Sequence, residues 1–112
     1  MTTPQSRKWP EYRRRELTLF AARVRASRGV LNWSQTDLAT RAGLTQRCIY
    51  KIENVSVDVR DSTVAAISKV FRAHGIYCEL TPGGGFHLRI SEEALNCDSP
   101  KRVEALEPAL AD

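Results

Sequence analysis

Between Gly43 and Gln46 the chain has only two residues, Leu44 and Thr45, in which to leave one helix and enter another. Upstream, SQTDLATRAG sets Leu38, Ala39 and Ala42 at helical spacing behind Ser34, a favoured N-cap residue. Asp37 stands three residues after Ser34, a capping box with Asp in place of Glu. Gly43 falls at the position where left-handed backbone commonly ends a helix. Downstream, Thr45 suits an N-cap, and Cys48, Ile49 and Ile52 form the next apolar stripe. Two short helices joined by a tight glycine-containing turn make a helix-turn-helix unit. Both stripes must reach one core, so the outer face of the second helix projects.

The flanking periodicities complete a small domain. A helix is expected over about 13–28, with Leu17, Phe20, Ala21 and Val24 inward and Gly29 weakening its end. Residues 54–60 break the pattern, and Asp58 or Asp61 can cap a further helix over about 59–73 whose apolar face is Val64, Ile67, Val70 and Phe71. His74-Gly75 closes it. The period then changes to two: IYCEL (76–80), a PGGG turn (82–85) and FHLRI (86–90) read as a β-hairpin. Ile76, Cys78 and Leu80 share one face, and so do Phe86, Leu88 and Ile90. A lone two-stranded hairpin is marginal in water, so it must pack on the helices or pair with something. With 112 residues, one domain is the expectation. The fold class is mainly α: a compact four- to five-helix domain over 13–75, a hairpin over 76–90 and an acidic tail. Residues 1–12 read as a flexible basic arm from which Trp9 is a candidate to pack on the body. Residues 91–112 read as disordered or as carrying a short helix at 91–95 or 102–107.

Charge and composition narrow the function. Residues 1–90 hold 15 Lys/Arg against 7 Asp/Glu, a net +8, while residues 91–112 hold 2 against 6, a net −4. A basic body suits a polyanionic partner, although a solvated charged surface has the same composition. No apolar run approaches the roughly 20 residues that span a bilayer. The N-terminal MTTPQSRKWPEYRRREL has basic residues without an apolar run behind them, so no signal peptide is read and a cytoplasmic chain is expected. Cys48, Cys78 and Cys97 are far apart, form no CxxC pair and do not cluster with His74 or His87, which argues against a metal site or a disulfide framework. No nucleophile elbow or phosphate loop is present; PGGGF joins two strand-like segments, whereas a phosphate cradle joins a strand to a helix. No enzyme and no cofactor are expected.

The outward face of the second helix carries Gln46, Arg47, Tyr50 and Lys51. Gln pairs bidentately with adenine, and Arg or Lys with guanine, in the major groove of B-DNA, which admits an α-helix. A solvated helix face has the same residues, and these ten positions do not separate the two readings. The wider stretch WSQTDLATRAGLTQRCIYKIEN resembles the helix-turn-helix of the Cro/repressor (XRE) family. It matches that family's pattern at Ser34, Gln35, Leu38, Ala39, Ala42, Gly43, Leu44, Thr45, Ile49, Ile52 and Glu53. Asn54-Val55 stand where glycine commonly follows, so a differently shaped turn is expected there. The proline that typically opens the next helix is also missing near Val59. The resemblance covers about 17–75, and GIYCELTPGGGFHLRI resembles the strand ending of small members.

The resemblance implies a lambda-repressor-like fold and a double-stranded DNA partner. It implies that Gln35 touches phosphate and braces the recognition helix, that Thr45 and Asn54 meet the phosphate backbone, and that Arg60 reaches the backbone or the minor groove. Gln46, Arg47 and Lys51 occupy the places that reach base edges, with Tyr50 beside them, and Arg28 and Glu53 correspond to a structural ion pair. One helix reads few base pairs, so such proteins bind as two-fold dimers with half-sites about 34 Å apart. The candidate dimer residues are Ile76, Cys78, Leu80, Phe86 and Leu88, with the tail as competitor. A dimeric repressor of a pseudopalindromic operator is the leading expectation. An antitoxin-type autoregulator that also binds a partner protein through the acidic tail is the alternative, and so is a helix-turn-helix interaction module without DNA binding.

Overall fold

In the computed structural model, which describes residues 9–96, five helices and one hairpin follow in sequence. They are α1 (Glu11–Leu31), α2 (Gln35–Ala42), α3 (Gln46–Glu53), α4 (Asp61–Ala73), β1 (Ile76–Leu80), β2 (Phe86–Ile90) and α5 (Glu92–Leu95). Residues 1–8 of the expected arm, and 97–112 of the expected tail with its second candidate helix, lie outside the described residues. Trp9 packs, partly buried, against the core.

One apolar cluster joins every helix. Leu17, Val24 and Leu31 enter it from α1, Leu38 and Ala39 from α2, Ile49 and Ile52 from α3, and Ile67 and Phe71 from α4. Ile76 from β1 and Ala94 from α5 belong to the same cluster, so the C-terminal elements are built onto the helical domain. Each fully buried Leu, Ile or Phe side chain stabilises the fold by about 1.5–3 kcal/mol.

The corners are made by one device used three times. Each of α1, α2 and α3 is followed by a residue in left-handed backbone: Asn32 at φ 58°, Gly43 at φ 70° and Val55 at φ 53°. Around them the Trp33, Leu44 and Ser56 amides reach back to the Arg28, Ala39 and Lys51 carbonyls at 3.0, 2.8 and 3.0 Å, the long bond of a Schellman motif. This explains why α1 runs past Gly29. Glycine costs a helix only about 1 kcal/mol, Leu31 still has a core site to fill, and Asn32 supplies the stop.

The start of α4 also differs from the sequence expectation. Arg60 occupies the N-cap without a side-chain bond, and Asp61 is the first helical residue, where its charge complements the helix dipole. Asp58 caps nothing. It accepts from Arg13 Nε at 2.8 Å, while Arg13 Nη2 donates to the Val59 carbonyl at 2.7 Å, and the two bonds tie the first turns of α1 to this loop.

The hairpin register is Ile76↔Ile90, Cys78↔Leu88 and Leu80↔Phe86, which puts the apolar residues of both strands on one face. The other face is polar, with the Arg89 guanidinium 4.1 Å from the centre of the Tyr77 ring. Gly75 joins α4 to β1 at φ 86°, and its carbonyl accepts from the Ser91 amide at 2.8 Å. A Cβ there would overlap Ser91 Oγ and stand 2.9 Å from the Ala94 amide nitrogen. We therefore expect Gly75→Ala to destabilise the fold by at least about 2 kcal/mol, from left-handed strain and overpacking together. Gly29→Ala, which meets no atom within 4 Å, should stabilise it by about 0.5–1 kcal/mol. Urea denaturation of the two variants checks the opposite signs.

Candidate nucleic-acid interface

The helix that presents the polar face is held at both ends. At its start, Thr45 Oγ1 accepts from the Cys48 amide at 3.1 Å. The preceding helix α2 begins with the full capping box: the Ser34 hydroxyl accepts from the Asp37 amide at 3.0 Å, and Asp37 accepts from the Ser34 amide at 2.8 Å. At the end of α3 all four terminal carbonyls have donors. Tyr50 O accepts from the Asn54 amide and side chain, and Lys51 O from the Ser56 amide and hydroxyl. Ile52 O accepts from the Val55 amide, and Glu53 O from Arg25 Nη1 at 2.8 Å. Helix ends otherwise leave these groups to water.

The expected change of turn shape after Glu53 does not occur. The turn keeps the left-handed geometry that glycine favours, with valine in its place. Left-handed backbone costs an L-residue roughly 1–2 kcal/mol. The Val55 side chain packs against the core, and that burial offsets part of the cost.

Beneath this helix lies a buried ion pair. The Glu53 side chain is 5% exposed, and Arg28 from α1 grips both of its oxygens, Nε to Oε2 at 2.6 Å and Nη2 to Oε1 at 2.8 Å. Arg28 Nη1 also donates to the Trp33 carbonyl at 2.8 Å. The bond to Glu53 holds the Arg28 guanidinium above its ordinary pKa, against the lowering effect of burial. Gln35, the first residue of α2, donates through Nε2 to Glu53 Oε1 at 3.2 Å and accepts through Oε1 from Gln46 Nε2 at 2.7 Å. One hydrogen-bonded chain thus runs from α1 to the first residue of α3.

The structure places Thr45, Gln46, Arg47 and Tyr50 on the exposed side of α3, with Tyr50 54% exposed and Lys51 half-buried. Among the described residues the Arg47 side chain makes no hydrogen bond or ion pair. Gln35 is brought to Gln46, and Asn54 is spent on its own helix end. Arg60 is exposed at the start of α4, on a separate element. Ile76, at 1% exposure, belongs to the core and is withdrawn from any partner. Cys78, Phe86 and Leu88 are half-buried, and Leu80 is open. Sequence reasoning missed Arg25. It lies three residues before Arg28, so the two share a face of α1, and that spacing was the available signal.

Removing one partner of a buried pair strands the other. We expect Arg28→Ala to lower stability by about 3 kcal/mol in denaturant titrations. Arg28→Lys should recover little of it, because an ammonium lacks the planar fork that spans both oxygens.

Residues 24–75, from within α1 to the residue before β1, match the helix-turn-helix family model. No curated protein matches the chain. The matched segment contains the α2–turn–α3 unit, its capped ends and the ion pair beneath it. Residues 24–75 thus match the model of the Cro/C1-type helix-turn-helix (XRE) family of DNA-binding transcriptional regulators.

Proposed function

We propose that the chain is a sequence-specific regulator of transcription that binds double-stranded DNA as a dimer and represses a promoter through a pseudopalindromic operator. The observation that carries this reading is the exposed, uncommitted Arg47 on a helix whose every terminal carbonyl is already bonded. A rigid rod with a free guanidinium is what bidentate reading of guanine needs.

In this reading Gln46, Arg47 and Lys51 reach base edges, and Tyr50 meets a thymine methyl or a phosphate. Gln35, Thr45 and Arg60 contact the backbone, and Asn54 does so through the one side-chain amide hydrogen that its bond to the Tyr50 carbonyl leaves over. The N-termini of α2 and α3 aim amide groups at phosphates. Gln35 also sets the side chain of Gln46, so one residue both positions the protein and orients a reader. The reading includes no catalytic role and no cofactor, and it places the protein in the cytoplasm on DNA. Among the described residues, no helix is long and apolar enough to cross a membrane. The net −4 of residues 91–112 favours one second reading, an antitoxin-type autoregulator that binds a basic partner protein through that segment. An interaction module without DNA binding is disfavoured by the cationic α3 face.

Fluorescence anisotropy on the DNA upstream of the chain's own gene, and on a scrambled duplex, tests the reading. The native duplex should bind roughly 10³-fold tighter. Arg47→Ala should cost about 2 kcal/mol, roughly 30-fold, on the native duplex and little on the scrambled one. Equal, weak binding to both duplexes would reject autoregulation, and no binding at low salt would reject DNA recognition.

Thr45→Val and Arg60→Ala bear on backbone contacts instead. Arg60→Ala should weaken both duplexes alike and lower the slope of log affinity against log salt by about 1. A salt series measures it.

A further inference from the structure

The hairpin does not close flat on the helices. Between α1, the start of α4 and the inner strand face runs a groove of about 280 Å³. Leu17, Phe20, Val64 and Phe86 give it an apolar lining. Leu80 stands at the same groove and is 79% exposed, so an apolar knob sits beside an apolar hollow on one surface. The charges at the groove are Arg13 and Arg23 against Glu16 and Asp61. Among the described residues neither Arg23 nor Asp61 has an ion-pair partner.

A surface with a knob, a hollow and both signs of charge complements itself. Under a two-fold axis, what one copy offers the other receives, and the exchange occurs twice. The distribution of exposed apolar side chains agrees. Tyr50 lies on α3, whereas Tyr12, Leu80, Ile90 and Leu95 lie on the first turn of α1, the hairpin and α5. The recognition helix packs on α1 and α2, and the hairpin packs on α1, α4 and α5. Burying the groove therefore leaves the α3 face free.

We propose that this groove is the interface with a second copy of the chain, each copy setting its Leu80 into the other's hollow. The proposal rests on the DNA-regulator reading for its two-fold axis. Sedimentation equilibrium of the full chain tests it without DNA. The wild type should be a dimer at micromolar concentration. Leu80→Glu should weaken association at least 30-fold while its far-ultraviolet circular dichroism stays that of the wild type, and Leu80→Met should restore it.

A second arm uses DNA. Leu80→Glu should bind a half-site duplex as the wild type does and lose its advantage on the full site. A wild type monomeric at 100 μM overturns the proposal, and an apolar dye bound in the groove of such a monomer would assign it to a small ligand. A Leu80→Glu variant that dimerises as tightly as the wild type also overturns it and puts the interface elsewhere, with the regulator reading intact. Failure of the wild type to bind any duplex sinks the regulator reading alone, since sedimentation decides the interface independently.

Discussion

The carboxylate of Glu53 is the point on which the arrangement of the first three helices turns. Apolar burial holds helices together but is non-directional, and alone it leaves the angle of a short helix loosely set. Glu53 removes that freedom. Its two oxygens take donors from α1 and α2, and its own carbonyl takes a third from α1. A buried ion pair is a poor source of net stability, because desolvation opposes the attraction. Its contribution here is geometric: the end of α3 has one position relative to Arg28, and its first side chain, Gln46, has one relative to Gln35.

What the sequence makes legible is what is decided within a few residues. Ser34 with Asp37, Gly43 and Thr45 carry their caps in their side-chain chemistry, and the structure has each where its type suggests. The alternation in 76–80 and 86–90 likewise gives both strands and their shared apolar face. The failures are non-local. Asp58 has the chemistry of a cap but is taken by Arg13, 45 residues away. Gly29 has the chemistry of a stop but is overridden by the core site of Leu31. Val55 in place of glycine suggests a reshaped turn, yet the amides of Val55 and Ser56 close the same motif that a glycine would. Arg28 opposite Glu53 came from family resemblance, whereas Arg25 needed the helices to be packed before its target existed.

The C-terminal elements show how a marginal unit is made part of a domain. Two strands alone bury too little. Here Ile76 is withdrawn into the helical core, Ala94 follows it from α5, and Gly75 lets α5 approach within contact of the α4–β1 junction. The hairpin is anchored at its open end and stands away from α1 toward its tip, beside the groove. The molecule has two unlike surfaces as a result, a polar and cationic one on α3 and an apolar, mixed-charge one under the hairpin.

The three left-handed corners have a further consequence, for how quickly the chain finds this arrangement. Each corner is closed by bonds spanning three to five residues, and the hairpin pairs neighbouring strands. Loop closure over such short spans loses little entropy. The links between distant parts of the chain, Arg28 to Glu53, Arg13 to Asp58 and the shared apolar core, join helices that carry their own caps. Topologies of this kind belong to the microsecond-to-millisecond class of folding rates. A newly synthesised chain would spend little time with Ile76 and the helical core that receives it uncovered.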